Sequence, residues 1–358
     1  MTQYLIKKII YGILVLWGVL SLVFFLFTVL PGDPARMMLD QREDSQQLFV
    51  LKQKYGFDKS ISKQYFLYLN DLSLFSIHSK NKDAFNYVLS GKYNYRTILE
   101  TKNSVLVLKT PYLRESFVKR GKSVISIIAD TFPNTFILTV AAIFIALLLG
   151  ILLGVFSAIF KDSILDRITL FLSVLGMSVP SFFSAILFAW IFGFLLADMT
   201  GLAMTGSLFE VDDYGRGEFI NLKNIILPAI TLGIRPLSVI VQLTRNSLLE
   251  VLKMDFMRTA IAKGLSKFIV LFKHGLRNAL NPVVTAVSGW FASMLAGAVF
   301  VEYIFAWNGL GKEIVDALNM LDLPVVMGAV LFIATIFVLI NIIVDIIYGI
   351  LDPRIRII

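Results

Sequence analysis

The sequence predicts an all-α polytopic membrane protein with six transmembrane helices and an extracytoplasmic insertion after the first helix. Of its 358 residues, 57% are hydrophobic and only 16% are charged, and the mean hydropathy is +0.78. The hydrophobic fraction is above, and the charged fraction below, that of ordinary soluble domains. A membrane-spanning helix needs roughly 20 apolar residues, and segments of that kind recur along the chain. They cover about 9–30, 133–160, 168–197, 225–249, 279–301 and 325–351.

The first apolar segment follows Lys7 and Lys8, as the core of a signal peptide would. Its apolar run is longer than a signal core of about 7–15 residues, and no A-x-A cleavage site follows. We therefore interpret residues 1–30 as a retained N-terminal anchor helix.

The charges of the short loops predict the orientation, because cytoplasmic loops carry an excess of Lys and Arg. The loop 250–278 is strongly basic, whereas 198–222 is acidic. This alternation predicts a multi-pass protein of the cell (inner) membrane with both termini, including the tail 352–358, in the cytoplasm. Residues 31–131 are basic although predicted to lie outside, but loops beyond about 60 residues escape the rule.

The predicted domain organisation follows from these spans. After the anchor come the extracytoplasmic region 31–131, with an insertion at about 78–115, and a five-helix core over 132–351. Helical spacing occurs early in the outer region, and the short piece SVLVL is typical of a strand. The sequence assigns this region no function.

Several function classes lack the residues that they need. Without Cys and with two His, thiol chemistry and histidine-based metal centres are poorly supplied. The nearest approach to a phosphate-binding loop, 116–123, has Ser116 in place of its first glycine. We therefore expect no nucleotide site, no enzymatic activity, no cofactor and no metal. The net charge of +8 reflects basic loops, and we expect no nucleic-acid partner.

The basic loop contains the pattern that points most directly to function. Residues 255–276 are predicted to form two short helices separated by a turn at Gly264, since glycine readily adopts positive φ. Ala260, Ile261 and Leu265 would supply apolar contact to a soluble partner, and Arg258 and Lys263 would supply charge. Uphill transport by a chain without a nucleotide site would need such a docked motor.

The loop resembles the cytoplasmic coupling loop, or EAA loop, of ABC-importer permeases. It reads D-F-M-R-T-A-I-A-K-G-L, as in the dipeptide/oligopeptide/nickel branch, and Arg258 stands where the general pattern has glutamate. Further segments resemble that branch in the same order along the chain. They are LPGDPA (30–35), FPNT (132–135), LTRNSLLEVL (243–252), RNALNPVVT (277–285), FAWNGLG (305–311) and VDIIYGILDPR (344–354).

The resemblance implies a type I permease subunit of a binding-protein-dependent importer for di- or oligopeptides. Its partners would be a second, homologous permease, two cytoplasmic ABC ATPases, an extracytoplasmic solute-binding protein and membrane lipid. The predicted ATPase-coupling residues are Arg258, Thr259, Ala260, Lys263, Gly264 and Leu265.

Arg235 lies within the fourth span, where a cation usually faces a cavity or a partner group. One interpretation is a structural pair with a carboxylate or with backbone carbonyls near Pro236. The other is that Arg235 lines the pathway and attracts an anionic group of the cargo, such as a peptide carboxylate.

Two further patterns leave their roles open. Asn341, Asp345, Tyr348 and Asp352 share one helix face, which we interpret as anchoring against the coupling loop. Gly289, Ser293 and Gly297 form a small-residue ridge suited either to internal packing or to the seam with a second permease.

Of three alternatives to a peptide importer, a membrane-anchored receptor that uses residues 31–131 would not need six spans, and the other two remain. The same architecture could import nickel chelates or other small solutes. A self-sufficient channel or ion-coupled transporter would use intramembrane acidic residues, of which the spans hold few besides Asp345.

Overall fold

The computed structural model describes residues 2–29, 35, 45–81, 84, 86–87, 93–212 and 217–351. Most of the LPGDPA segment and the tail from 352 onward lie outside these ranges. The chain forms two compact units. One comprises residues 1–9, 131–315 and 333–358, and the other comprises residues 10–130 and 316–332.

The long helices are those that the apolar segments predict. The described helices are α1 (Thr2–Val29), α2 (Ser45–Tyr55), α3 (Ile61–Leu72), α4 (Val124–Ile159), α5 (Ile164–Ser178), α6 (Ser181–Trp190), α7 (Ala197–Thr200), α8 (Ile226–Val251), α9 (Asp255–Ala262), α10 (Lys267–Ile269), α11 (Arg277–Ala279), α12 (Asn281–Gly297), α13 (Val299–Ile304), α14 (Leu310–Asn319) and α15 (Leu323–Leu351). Two π-helical turns (Ile191–Leu195 and Val270–Leu276) and one 3₁₀ turn (Leu222–Ile225) join them.

Within the described residues, four helices are long and apolar enough to cross a membrane, and there are up to six spans if each bent helix pair counts as one. The third predicted span is such a pair. It bends by 111° between α5 and α6, where Val179 is extended and Pro180 precedes the first turn of α6. Proline has no backbone N–H and so cannot donate the next hydrogen bond of helix α5, which explains why the helix breaks there.

The part of the chain between the first two long helices, for which the sequence predicts an outer location, contains a small sheet as well as helices. Strands β1 (Phe75–Ser79), β2 (Tyr95–Glu100) and β3 (Ser104–Lys109) form an antiparallel sheet in the order β1-β3-β2. Side chains on β3 alternate, so Val105, Val107 and Lys109 are buried. The Lys109 ammonium donates to the Asp71 carbonyl, which satisfies this buried cation. A second hairpin pairs β4 (Phe209–Val211) with β5 (Glu218–Ile220) in the other unit.

The segment that weakly resembles a phosphate-binding loop binds a carboxylate of its own chain. The Ser116 hydroxyl donates to Asp322, and the backbone N–H of Phe117 donates to the same carboxylate at 3.0 Å. The Val118 N–H lies 3.3 Å from its other oxygen. Asp322 is only 2% exposed, and these three donors replace the water that its buried carboxylate has lost.

The unit that holds most of the spans has its main core where α4, α6, α8 and the segment 294–307 meet. Trp307, Phe305 and Leu138 are among its fully buried side chains. Close helix contact depends on glycine at Gly233, where an added Cβ would lie 2.8 Å from the Ala142 carbonyl oxygen.

Candidate functional site

The basic loop forms the elbow that its sequence predicts. Helix α9 ends at Ala262, and Gly264 follows with a φ of 78°. L-residues with a side chain rarely adopt this left-handed conformation, so glycine permits the turn at this point. The Ser266 hydroxyl then accepts from the Ile269 N–H at 3.4 Å and begins the second arm, which bends by 47° into α12. We call residues 255–276 the elbow.

One face of the elbow packs into its own chain. Met257 and Ala260 are buried at 1% and 7% exposure, in a cluster with Val155, Leu248 and Val251. The elbow is therefore packed against the ends of α4 and α8. Ala260 belongs to this anchor and not to the exposed apolar surface in which the sequence interpretation placed it.

The opposite face of the elbow is exposed. Ile261 is 63% exposed, Phe268 is 69% exposed, and the Phe268 and Phe272 rings lie 4.5 Å apart. Arg258 makes only a loose pair with Asp255 at 3.6 Å, and both side chains are largely exposed. Such a pair contributes little to stability. Exposed large apolar side chains beside cations are typical of a docking surface.

The remaining predicted coupling residues share this exposed turn. Lys263 and Gly264 are exposed, and Leu265 is 38% exposed. Thr259 differs, because its hydroxyl donates to the Asp255 carbonyl at 3.1 Å within α9. The turn itself thus presents one cation and one apolar side chain next to a bend in the backbone.

A buried ion pair that the sequence interpretation missed lies near the base of the elbow. Arg245 donates to both oxygens of Asp166 at 2.7 and 2.8 Å. Ser157 and the Asp162 N–H donate to the same carboxylate, the latter at 2.9 Å. The sequence contains a signal for this pair, because Arg245 is a cation in the last turns of a span and such groups are rarely left unpaired. The pair connects the start of α5 to the end of α8.

Arg235 does not form the carboxylate pair that one interpretation offered. It is exposed on α8 and makes no ion pair with any residue in the described ranges. Gln242 and Asn246 follow at offsets of seven and eleven residues, which places them on the same helix face. The Gln242 amide contacts the Met177 sulfur at 3.4 Å, beside the break between α5 and α6. These residues form a polar stripe on a membrane-spanning helix.

Two of the motifs singled out in the sequence meet each other. The Asn134 side chain donates to the Asn308 carbonyl at 2.8 Å, and the Trp307 indole donates to the Asn134 carbonyl at 3.1 Å. The Leu310 N–H donates to the Thr135 hydroxyl at 2.8 Å. The FPNT and FAWNGLG segments are therefore one hydrogen-bonded structure, which we call the clasp.

A buried carboxylate that the sequence interpretation did not consider lies inside the clasp. Glu302 is fully buried, accepts from the Lys312 N–H at 3.1 Å, and has one oxygen, Oε1, without a hydrogen-bond partner in the described structure. Cβ atoms added at Gly309 and Gly311 would lie 2.4 and 2.8 Å from this carboxylate. Gly309 therefore makes room for Glu302, whereas a Cβ at Gly311 would first meet the Val299 Cα at 2.6 Å.

Burial raises the pKa of Glu302 to about 7, because the ionised carboxylate has lost its water. Hydrogen bonding from the Thr135 hydroxyl and from the backbone amides of Lys312 and Gly311 opposes this rise in pKa. Glu302 lies beyond the end of the fifth candidate span at residue 296.

The chain matches two protein-family models over most of its length. Residues 150–357 match the family described as the binding-protein-dependent transport system inner membrane component, and residues 1–84 match its N-terminal family. The chain belongs to this family of transport-system permeases. The predicted fold class is confirmed, since this multi-pass family member is mostly helical with four to six candidate spans.

Permeases of peptide transport systems are similar to the chain over nearly its whole length. It is 32% identical to the dipeptide transport system permease of Alkalihalophilus pseudofirmus, covering 99% of the chain and 100% of that protein. The corresponding Escherichia coli permease is 34% identical, with 99% of each chain covered. The glutathione transport system permease of Salmonella typhimurium is 33% identical, also with 99% of each covered.

Among solved structures, the MetNI methionine ABC transporter matches 64% of this chain and 97% of its own chain. The sequence identity is 18% and the TM-score is 0.49.

Proposed function

We propose that this permease is the subunit of an ATP-driven importer that couples separate ATPases to its pathway through the elbow. The observation that carries this proposal is the two-faced geometry of residues 255–276. Met257 and Ala260 anchor one face within the chain, while Ile261 and Phe268 expose the other. A segment that is packed into its own chain on one face and exposes apolar side chains on the other is suited to receive force from a docked partner.

The proposed cargo is a di- or oligopeptide. Support comes from the names of the relatives, which include dipeptide and glutathione transport permeases at 32–34% identity. The exposed Arg235 on α8 supports it chemically, since a guanidinium binds a carboxylate well. We assign Arg235, Gln242 and Asn246 to the wall of the pathway. Nickel chelates and other small solutes are the alternative cargo within the same architecture.

The proposed assembly contains a second permease, two ATPases on the cytoplasmic side and an extracytoplasmic binding protein. A seam with the second permease is supported at α12, where a Cβ at Gly289 would meet nothing within 4 Å and Ser293 is exposed. This ridge therefore faces away from its own chain over the described residues. Both termini and the elbow are proposed to be cytoplasmic.

A self-sufficient ion-coupled carrier is less well supported. The acidic residue that could serve it, Asp345, pairs with Lys8. This pairing also differs from the sequence interpretation, which placed the Asp345 face against the coupling loop. Lys8 lies in the anchor helix, and two charges close to the ends of their helices neutralise each other there. The side chains of Tyr348 and Asp352, on the same predicted face, lie outside the described residues.

Affinity purification of the tagged permease from its native membranes tests this proposal. We expect P-loop ATPases and a second permease to accompany the wild type, and Gly264→Asp to lose the ATPases. Gly121→Asp is the matched control, because Gly121 has the same φ of 78° and the same open surroundings. Wild-type protein that emerges alone, or equal loss in both variants, would contradict the proposal.

A further inference from the structure

The break in the third span leaves four backbone carbonyls without hydrogen bonds. Helix α5 ends at Ser178, and Pro180 has no N–H to donate to the Gly176 carbonyl. The carbonyls from Gly176 to Val179 accept no hydrogen bond from any residue in the described ranges. The last turn of every helix has such groups, which must find partners outside the helix.

The break lies at the depth of the lipid hydrocarbon. Helix α5 has 15 residues, which at about 1.5 Å per residue places the break about 22 Å from the start of the helix. The hydrocarbon core is about 30 Å thick. Non-helical backbone at this depth is tolerated only where it is buried in protein or lines a water-filled cavity. The free carbonyls of the break are therefore not groups that can face lipid.

A groove of about 560 Å³ opens at the break. Ser178 and Val179 line it, together with apolar side chains that include Phe171 and Phe182. The Ser178 hydroxyl donates to the Val174 carbonyl at 2.8 Å, which leaves the hydroxyl oxygen able to accept a hydrogen bond. The volume is within the usual range for small-molecule sites, about 300–1,000 Å³.

Helix α8 brings a cation to the same place. A Cβ added at Gly176 would lie 2.5 Å from the Ser238 hydroxyl oxygen and 3.0 Å from the Ile234 side chain, so α8 packs closely against the break. Arg235 follows Ile234 in the same turn, is exposed, and makes no ion pair with any described residue. The break thus combines free hydrogen-bond acceptors, an apolar groove and a nearby guanidinium without a counter-charge.

These features are complementary to a peptide with two free ends. The ammonium and amide N–H groups of a peptide are donors for the carbonyls, its carboxylate is a partner for Arg235, and a side chain can enter the groove. The carbonyl end of a helix is also the negative end of its dipole, which favours a cation. Broken helices of ion-coupled carriers bind cations through carbonyls in the same way. A lipid acyl chain in the groove would leave every carbonyl unpaired.

We propose that the break between α5 and α6 binds the amino end of the peptide cargo, with the carbonyls of residues 176–179 as acceptors and one side chain in the groove. This site rests on the proposed function, which assigns Arg235 to the wall of the pathway. It adds a second point of attachment at the opposite end of the peptide. The break would select for a free ammonium, as Arg235 selects for a free carboxylate.

The site is tested by thiol labelling of the purified importer complex without its binding protein, so that the selectivity of that protein does not enter. Ser178→Cys puts a single thiol into this chain, at the groove, because the sequence has no Cys. We expect a charged, water-soluble thiol reagent to label it, and the dipeptide alanyl-phenylalanine to slow the labelling. The N-acetyl form should need a concentration about tenfold higher for the same protection, since it lacks the ammonium that makes charge-assisted hydrogen bonds.

Two matched controls accompany this variant. Ile164→Cys places a thiol at the start of the same helix, where the residue is 76% exposed and does not line the groove, and neither peptide should change its labelling. In the Ser178→Cys background, Pro180→Ala supplies the missing N–H and should raise the dipeptide concentration needed for protection. Pro324→Ala should not, because Pro324 stands in the first turn of α15, where proline removes no helical hydrogen bond.

A Ser178→Cys thiol that the charged reagent cannot reach would place the groove against lipid, and equal protection by the two peptides would show that the amino end is not bound there. Either result would overturn the proposal. Dipeptide uptake by the wild-type importer in proteoliposomes, with its binding protein, is measured separately. Uptake without protection of Ser178→Cys overturns this site alone, whereas a wild type that takes up no peptide contradicts the proposed function and this site with it.

Discussion

Arg245 and Asp166 form a two-point ion pair that joins the end of α8 to the start of α5, with N–O distances of 2.7 and 2.8 Å. Their side chains are only 13% and 2% exposed. A planar guanidinium that meets both carboxylate oxygens fixes orientation as well as distance. The helix that carries the elbow is thereby tied to the broken third span.

Replacing one partner of this pair should destabilise the permease strongly. Arg245→Gln leaves the Asp166 carboxylate buried without its counter-charge, which lowers the free energy of unfolding by about 3–5 kcal/mol. The thermal unfolding midpoint of the detergent-purified protein should fall accordingly.

Arg167→Gln is the control for this loss, because Arg167 is an exposed cation in the same short segment. Its midpoint should stay close to that of the wild type. The double variant Arg245→Gln/Asp166→Asn should be less destabilised than the sum of the single variants, since neither charge is then left alone. Additive losses would show that the pair does not act as a unit.

The conformation of Gly264 predicts a graded effect of substitution. Its φ of 78° strains Ala, whereas Asn tolerates the left-handed region better. Gly264→Ala should therefore reduce ATP hydrolysis stimulated by the loaded binding protein more than Gly264→Asn does. The same two changes at Gly121, which shares this φ, should leave the stimulation unchanged. An equal response to Ala and Asn at Gly264 would argue that backbone geometry is not the limiting factor.

Glu302 predicts a pH dependence of stability. Its pKa is about 7 in the folded protein against an ordinary value of 4.5, so the folded state holds the proton more tightly. Stability should therefore fall as the pH rises from 4.5 to 7 and then level off, a loss of roughly 3 kcal/mol at about 1.4 kcal/mol per pKa unit. Thermal midpoints measured from pH 5 to 8 should decline in the wild type and decline much less in Glu302→Gln. Parallel curves for the two proteins would exclude Glu302 as the titrating group.

The clasp predicts that Gly309 is required because of Glu302. A methyl group at Gly309 would lie 2.4 Å from the Glu302 carboxylate, closer than real contacts allow. Gly309→Ala should destabilise the protein by about 1–3 kcal/mol, the usual range for overpacking. In the background of Glu302→Ala the same change should have little further effect. A full additional loss there would mean that the methyl group collides with something else.

Arg235 predicts selectivity between cargo molecules. Its guanidinium is exposed on α8 without an ion-pair partner in the described structure. Arg235→Gln should reduce uptake of peptides with a free C-terminal carboxylate more than uptake of the same peptides with an amidated end. Transport in proteoliposomes would measure this ratio. Equal efficiency for both forms would remove Arg235 from cargo recognition.

The sequence predicted the spans and the elbow well because hydropathy and glycine placement act locally. Long apolar runs identified α1, α4, α8 and α15, and Gly264 identified the turn. The 111° angle between α5 and α6 did not follow from the sequence, because Pro180 predicts a break without its direction. The apolar composition of a segment indicates how favourable its transfer from water to lipid is, but it does not determine the angle between the two halves of a broken span.

The partnerships of buried charges could not be predicted in the same way. Asp166 and Arg245 are 79 residues apart. The space for the buried Glu302 carboxylate is provided by Gly309, which follows it in a separate turn. Such pairings depend on packing between distant segments. For Ala260, spacing placed the residue in the elbow but did not show which face of α9 turns inward.

The most direct test of the coupling mechanism uses the absence of Cys in the chain. A single Ile261→Cys change puts a thiol on the exposed face of the elbow, and Val211→Cys puts one on β4, which is 70% exposed at that residue. With a thiol-reactive crosslinker applied to the assembled importer in its native membranes, we expect Ile261→Cys to crosslink to an ATPase subunit and Val211→Cys not to do so. An Ile261→Cys protein that labels readily but never crosslinks to an ATPase would contradict the proposed coupling.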